Sequence, residues 1–160
     1  MNSIEIMIDN LIVIFIFKFP ASLQLVRIAN RRQVEQEFLG QLARFSGWGT
    51  TGTGDSSPIR NLRVSNSPII SQSACRLRFP NSASSNTLCI DGTNTNVCNG
   101  DFGGPLTIRD ADGITTQIGI AAFISPLGCT FGFPGGFTRI SSYLTWIGEN
   151  SDVVIRNGFD

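Results

Sequence analysis

The chain has 160 residues, 41% of them hydrophobic, which is enough for one well-buried domain and too short for a second complete one. Twelve basic residues balance 12 acidic ones, so no global field recruits nucleic acid or an anionic membrane surface. A charged fraction of only 15%, with 17 glycines and 7 prolines, points to a turn-rich β protein rather than a helical bundle. The lack of any histidine excludes a mixed Cys/His metal site.

In chain order, Ile4, Ile6 and Ile8 alternate as in a short half-buried strand, and residues 11–19 are rich in Ile, Val and Phe, which favours a second strand ended by Pro20. The apolar run at 11–17 is too short to span a bilayer. It follows Glu5 and Asp9 rather than a basic segment, so it reads as a strand before it reads as a leader. Residues 23–28 predict another short strand, and residues 29–37, with Arg31, Arg32, Glu35 and Glu37, an exposed connection. β character returns at 38–46 and ends at Gly47-Trp48-Gly49, where an indole is expected to pack over closely approaching backbone. A polar loop at 50–58 precedes a bent strand through Leu62, Val64 and residues 68–70. Ser71 is then placed to cap one helical turn before Cys75.

After a polar loop at 81–87, Leu88-Cys89-Ile90 forms a strand and residues 91–97 a loop. Residues 106–108 and 116–123 predict two strands joined by a turn at 110–113. A glycine-rich stretch at 128–136 leads into a last strand at 137–140. The period then changes, and residues 143–150 read as a short amphipathic helix behind a serine cap at Ser141 or Ser142. Many short strands with one terminal helix imply an all-β fold, a small antiparallel Greek-key barrel.

Cys75, Cys89, Cys98 and Cys129 lack the paired close spacing of a zinc ribbon, so disulfides in an oxidising compartment are favoured over free thiols or metal, and no cofactor is implied. Four cysteines allow three pairings. Secreted-type cysteines without a recognisable leader are in tension. One explanation is that the sequence is a portion of a longer chain.

Residues 98–106 carry the most specific pattern. Gly100, Gly103 and Gly104 free the backbone, Pro105 fixes the exit, and Leu106 opens an apolar strand. Gly100-Asp101-Phe102-Gly103-Gly104-Pro105 resembles the Gly-Asp-Ser-Gly-Gly-Pro nucleophile loop of the chymotrypsin-like (S1) serine proteases, with only the nucleophile changed. Gly47-Trp48-Gly49, the ordered cysteines, Gly136-Phe137-Thr138-Arg139 and Tyr143-Leu144-Thr145-Trp146-Ile147 extend the likeness over roughly residues 38–150. The flavour is that of digestive chymotrypsin-like and collagenase-like members from arthropods.

The resemblance implies a division of the chain. Residues 1–37 would be a remnant of a mostly missing first barrel and its connection, 38–150 the second trypsin-like barrel with its helix, and 151–160 a tail. It pairs Cys75 with Cys89 and Cys98 with Cys129, each bond stabilising the fold by about 2 to 4 kcal/mol. Gly100 becomes a remnant of the oxyanion loop, and Asp101 the residue that receives a new amino terminus in active members. Without that terminus the loop is expected to be disordered. Asn96 maps to the base of the specificity pocket, Ala122, Phe123 and Ile124 to its wall, in place of the usual Ser-Trp-Gly, and Gly135 to the opposite side. That wall predicts a narrowed mouth. Asp9 is the only counterpart of the family aspartate, at a spacing that departs from the family's.

Serine-protease chemistry needs an oxygen nucleophile, an imidazole base, a carboxylate that orients it and amide donors for the oxyanion. Phe102 stands at the nucleophile position and the chain has 0 histidines, so the expectation is a non-catalytic homologue with no catalytic residues and no metal. As an extracellular binding or decoy module it would meet a peptide, a protease or a protease inhibitor, but neither nucleic acid nor the interior of a membrane. The alternatives are a truncated or degenerate product without selected function, and an incompletely represented secreted serine endopeptidase.

Overall fold

The structure, a computed structural model, describes the backbone of residues 4–8 and 11–15, and residues 26–152 except 35, 56 and 58. The first two predicted strands form as β1 (Ile4–Ile8) and β2 (Leu11–Phe15), an antiparallel pair in which Ile6 faces Val13 across the ladder. Residues 16–25, and with them most of the strand expected at 23–28, lie outside the described residues, as do Asp9 and residues 153–160 of the expected tail.

The barrel is built from β4 (Leu42–Gly47), β5 (Arg63–Ile70), β6 (Thr87–Ile90), β7 (Pro105–Arg109), β8 (Thr115–Phe123) and β9 (Gly135–Arg139). Around it the order is β8-β7-β4-β5-β6-β9, and β8 pairs with β9 to close it, every contact antiparallel. Sequence neighbours are ladder neighbours except at one step. The β6 to β7 connection, residues 91–104, crosses an end of the barrel, and it is this crossing that holds Asn96, Cys98, Gly100, Asp101 and Phe102. Outside the barrel, β3 (Arg27–Ile28) adds to β8 in parallel, Arg27 opposite Thr116, a pairing the all-antiparallel expectation omits.

In β4 and β7 the core follows the period of two: Ala43 and Phe45, and Leu106 and Ile108, are buried between more exposed neighbours. Ile69 of β5, Ile118 and Ala121 of β8 and Phe137 of β9 join them in the core, Ile118 and Ala121 being three residues apart because the β7–β8 register shifts between Leu106 and Thr107. β6 is buried on both faces, as its apolar run suggests. Gly119 is where β8 passes closest to the core, since a Cβ there would sit 3.1 Å from that of Phe137 and 3.2 Å from that of Leu106. A smaller cluster of Cys75, Phe79, Ala83 and Cys89, with Phe123 and Phe133 against it, fills the space beneath the helix α1 (Gln72–Arg78).

Three expectations change in detail. Ser71 does cap α1, accepting from the Ala74 amide at 3.2 Å, but the helix runs through Cys75 to Arg78 rather than stopping before it. Residues 29–37 are not simply exposed. Asn30 and Gln33 are buried and form a capping box at the N-terminal end of a 3₁₀ turn (Arg31–Gln33), Asn30 Oδ1 accepting from Arg32 N–H and Gln33 Oε1 from Asn30 N–H. The terminal helix has no serine cap. A 3₁₀ turn (Ile140–Tyr143) feeds α2 (Leu144–Glu149), and the Ser141 hydroxyl is buried without a partner.

Candidate functional site

Two disulfides frame the crossing. Cys75 of α1 joins Cys89 of β6, and Cys98 of the crossing joins Cys129 between β8 and β9, with Cα separations of 5.9 and 5.3 Å. These are the pairings the family resemblance implies. No free cysteine remains.

Within the crossing the chain turns at Gly100, whose φ of 94° is the left-handed conformation that glycine adopts without strain. The turn lets Asp101 N–H donate to the Cys98 carbonyl at 3.1 Å and folds the Asp101 carboxylate back under the loop. One carboxylate oxygen accepts from Gly49 N–H at 2.7 Å and the other from Cys98 N–H at 2.9 Å. Thr50 N–H to Asn99 O, and the exchange Gly103 N–H to Ala121 O with Ala121 N–H to Gly104 O, fasten the loop to the barrel on either side. The expected disorder is therefore replaced by a loop whose acidic residue is satisfied by two backbone amides.

Gly47 and Gly49 make room for this. A Cβ on either would collide with the Asp101 side chain. The close approach expected at Gly47-Trp48-Gly49 exists, but the indole does not make it: Trp48 is largely exposed and a carboxylate fills the space. Neither partner of Asp101 was predictable by residue type, because both are main-chain amides. The two glycines were the available signal.

Phe102 sits at the tip of the loop, 48% exposed. Among the described residues, neither its amide nor that of Gly100 donates to a protein acceptor, so the pair of donors flanking Asp101 stays open.

The residues that map to the specificity pocket occupy several settings. Asn96 spends its amide on structure, Nδ2 donating to the Phe133 carbonyl at 2.8 Å and Oδ1 accepting from Val97 N–H at 3.0 Å. It lines a cavity of about 420 Å³ with Gly47, Gly49, Thr50 and Asp101, but Ala122, Phe123, Ile124 and Gly135 are not in that wall. Ala122 is exposed at a bulge in β8, where the register shifts between Ala121 and Phe123. The Phe123 ring packs edge-on to Phe79 with centroids 5.1 Å apart and lies over Gly136, where a Cβ would strike it. Ile124 packs against the main core. Gly135 faces Asn96 and Val97, with no space for a side chain. Among the described residues no group of three His, Cys, Asp or Glu is placed to hold a metal, and no helix is long and apolar enough to cross a membrane.

A closed antiparallel barrel with a crossing loop tied by one disulfide, a second disulfide beside it and a short terminal helix is the architecture of one barrel of a trypsin-like fold. The trypsin family model matches residues 17–147, and the chain belongs to that family. Serine protease 1 of Drosophila melanogaster is 39% identical over 121 residues, 74% of this chain and 43% of that protein. The collagenase of Hypoderma lineatum is 29% identical over 139 residues, 86% of this chain and 51% of that protein. The solved structure of HL collagenase superimposes with a TM-score of 0.75 at 28% identity, covering 89% of this chain and 60% of that one. The chain thus spans about half the length of the curated relatives it matches.

Proposed function

We propose that this chain is a non-catalytic member of the S1 family, an extracellular domain that binds a peptide, a protease or a protease inhibitor through the surface around Phe102. Phe102 at the nucleophile position carries the reading. A benzyl group has no lone pair to attack a carbonyl, so no acyl-enzyme forms there whatever else surrounds the loop. The absence of imidazole from all 160 residues supports the same conclusion, since nothing in the chain takes a proton from a hydroxyl near neutral pH.

What remains in the cleft favours binding. The half-exposed Phe102 ring offers the kind of aromatic contact that anchors interfaces, and the Gly100 and Phe102 amides beside it offer donors to a peptide carbonyl. Two disulfides suit an oxidising compartment. Names such as collagenase and serine protease describe what relatives do, and in this chain Phe102 stands where the family's loop pattern has serine. Incubating the oxidised chain with a diverse peptide mixture and reading the products by mass spectrometry should reveal no cleavage. Cleavage by the purified chain that a serine-directed inhibitor suppresses would overturn the proposal.

A further inference from the structure

The two disulfides sit in unlike surroundings. Cys75 and Cys89 lie in α1 and β6, in the apolar cluster with Phe79 and Ala83 against which Phe123 and Phe133 pack. Cys89 is also held in the barrel ladder on both sides, opposite Ile70 of β5 and Gly136 of β9. Cys98 and Cys129 lie in neither strand nor helix. One is in the β6–β7 crossing, the other in the connection from β8 to β9.

All four cysteines are buried, so a thiol reaches either bond only after a local opening, and the cost of that opening differs. Baring Cys89 means parting β6 from its neighbours, which amounts to unfolding the barrel, whereas movement of residues 126–132 alone bares Cys129. This strap is exposed on either side of the cysteine, at Leu127, Thr130 and Phe131. Its far end is anchored at Phe133, whose carbonyl accepts from Asn96 Nδ2 at 2.8 Å and whose ring lies beneath the Arg78 guanidinium. Nearer Cys129, the Thr53 and Thr130 hydroxyls are 2.8 Å apart and Thr130 N–H donates to Thr53 Oγ1 at 3.3 Å, exposed hydrogen bonds that water replaces at small net cost. Cys129 and Thr130 also form part of the wall of the cavity of about 420 Å³ that Asn96 and Asp101 line.

We propose that the Cys98–Cys129 bond is a thiol-operated clasp: a small thiol of the glutathione class opens it ahead of Cys75–Cys89 and releases the strap, which takes one wall away from the cavity beside Asp101. A thiolate attacks Cys129 Sγ and forms a new S–S bond there, and the old bond breaks with its electron pair going to Cys98 Sγ. Thr50 Oγ1 donates to that sulfur at 3.2 Å, so a hydroxyl is in place to stabilise the departing thiolate. The Asp101 carboxylate, bound by the Gly49 and Cys98 amides on the same side, opposes the new charge, which leaves the Thr50 hydroxyl as the favourable partner. A second thiolate then attacks the sulfur of the first in the mixed disulfide, releasing the Cys129 thiolate and the oxidised small thiol.

The test incubates the oxidised full chain with reduced glutathione, traps free thiols with N-ethylmaleimide at intervals and reads each cysteine by peptide mass spectrometry. Cys98 and Cys129 should be labelled together, about tenfold faster or more than Cys75 and Cys89, because the strap opens more often than the barrel unfolds. At the end of that first phase, amide hydrogen exchange at Leu127, Gly128, Thr130 and Phe131 should rise about tenfold while β6 and β9 keep their protection. Thr50→Val should slow the first phase about threefold and leave the second unchanged. Equal rates for the two pairs, or earlier labelling of Cys75 and Cys89, would overturn the clasp. Fast labelling without increased exchange in the strap would overturn its release, and an unchanged first phase in Thr50→Val would overturn Cys98 as the leaving sulfur. Peptide cleavage by the chain, which would sink the binding role proposed for Phe102, leaves each of these readouts untouched.

Discussion

Phe102 and Asp101 are adjacent residues with opposite fates. The aspartate is held by Gly49 and Cys98 amides, so its contribution is structural. The phenylalanine is free of such duties and half-exposed. That difference places the constraint on the glycines around the carboxylate rather than on the residue at the nucleophile position. Gly92 makes a related point at the start of the same crossing. A Cβ there would strike the Phe133 carbonyl and crowd Asn96 Nδ2, which donates to that same carbonyl. Gly92→Ala should destabilise the chain by about 1 to 3 kcal/mol, the usual cost of forcing extra volume against fixed backbone. Urea unfolding checks this, and a change below about 0.5 kcal/mol would show that the crossing relaxes around the new methyl.

Among the elements, β3 is the least self-sufficient, with only Arg27 and Ile28 in the ladder. Arg27 fastens it by ion pairs to Asp110 and Asp112 in the β7–β8 turn, while Thr116 accepts from Arg27 Nε and donates to Asp110. The hydrogen bond from Arg27 is the largest cause that lowers the Asp112 pKa from 3.8 to about 2. Because the folded value lies below the ordinary one, the pair stabilises the fold above about pH 3.8, and that contribution fades as pH falls towards 2. Asp112→Asn should therefore lower Tm at neutral pH, and the gap from wild type should close across that window. A gap that persists unchanged at pH 2 would contradict the role given to the pair. The disulfide between α1 and β6 spans a sequence separation of 14, for which chain entropy suggests about 3 kcal/mol. Replacing Cys75 and Cys89 together by Ser should cost about that much in denaturant, and a loss below about 1 kcal/mol would mean the reduced state is already constrained.

How far these elements could be read in advance depended on what defines them. β4 and β7 alternate buried and exposed residues over most of their length, so their inward faces were legible from period, whereas β8, with the sequence TTQIGIAAF and two register shifts, was legible as a strand but not in its faces. The parallel seat of β3 rests on side chains more than 80 positions away in the sequence, Asp110 and Asp112, which no local window connects to Arg27. The serine cap of α2 failed because the last strand runs straight into a 3₁₀ turn, leaving Ser141 buried rather than at a helix start. In the site, the disulfide pairing and the glycine loop were legible through family likeness. The inward packing of Phe123 onto Phe79, and the burial of Arg139, are tertiary facts with no local signature.

At the scale of the whole molecule, the closed barrel and the two disulfides of a trypsin-family domain are present, and the proposed loss concerns the chemistry of its loop. Folding under oxidising conditions should leave no reactive thiol among the four cysteines, as thiol counting with a maleimide reagent would show. Four reactive thiols in folded protein would contradict the extracellular setting. The proposed loss of catalysis has two separate causes, the benzyl group at 102 and the missing imidazole, and restoring one should not rescue the other. The most direct measurement compares the oxidatively folded 160-residue chain with its Phe102→Ser variant, using a serine-directed fluorophosphonate and a panel of peptide substrates. Neither protein should be labelled or turn over substrate. Stoichiometric labelling of the variant at the introduced hydroxyl, or hydrolysis by either protein, would contradict the account.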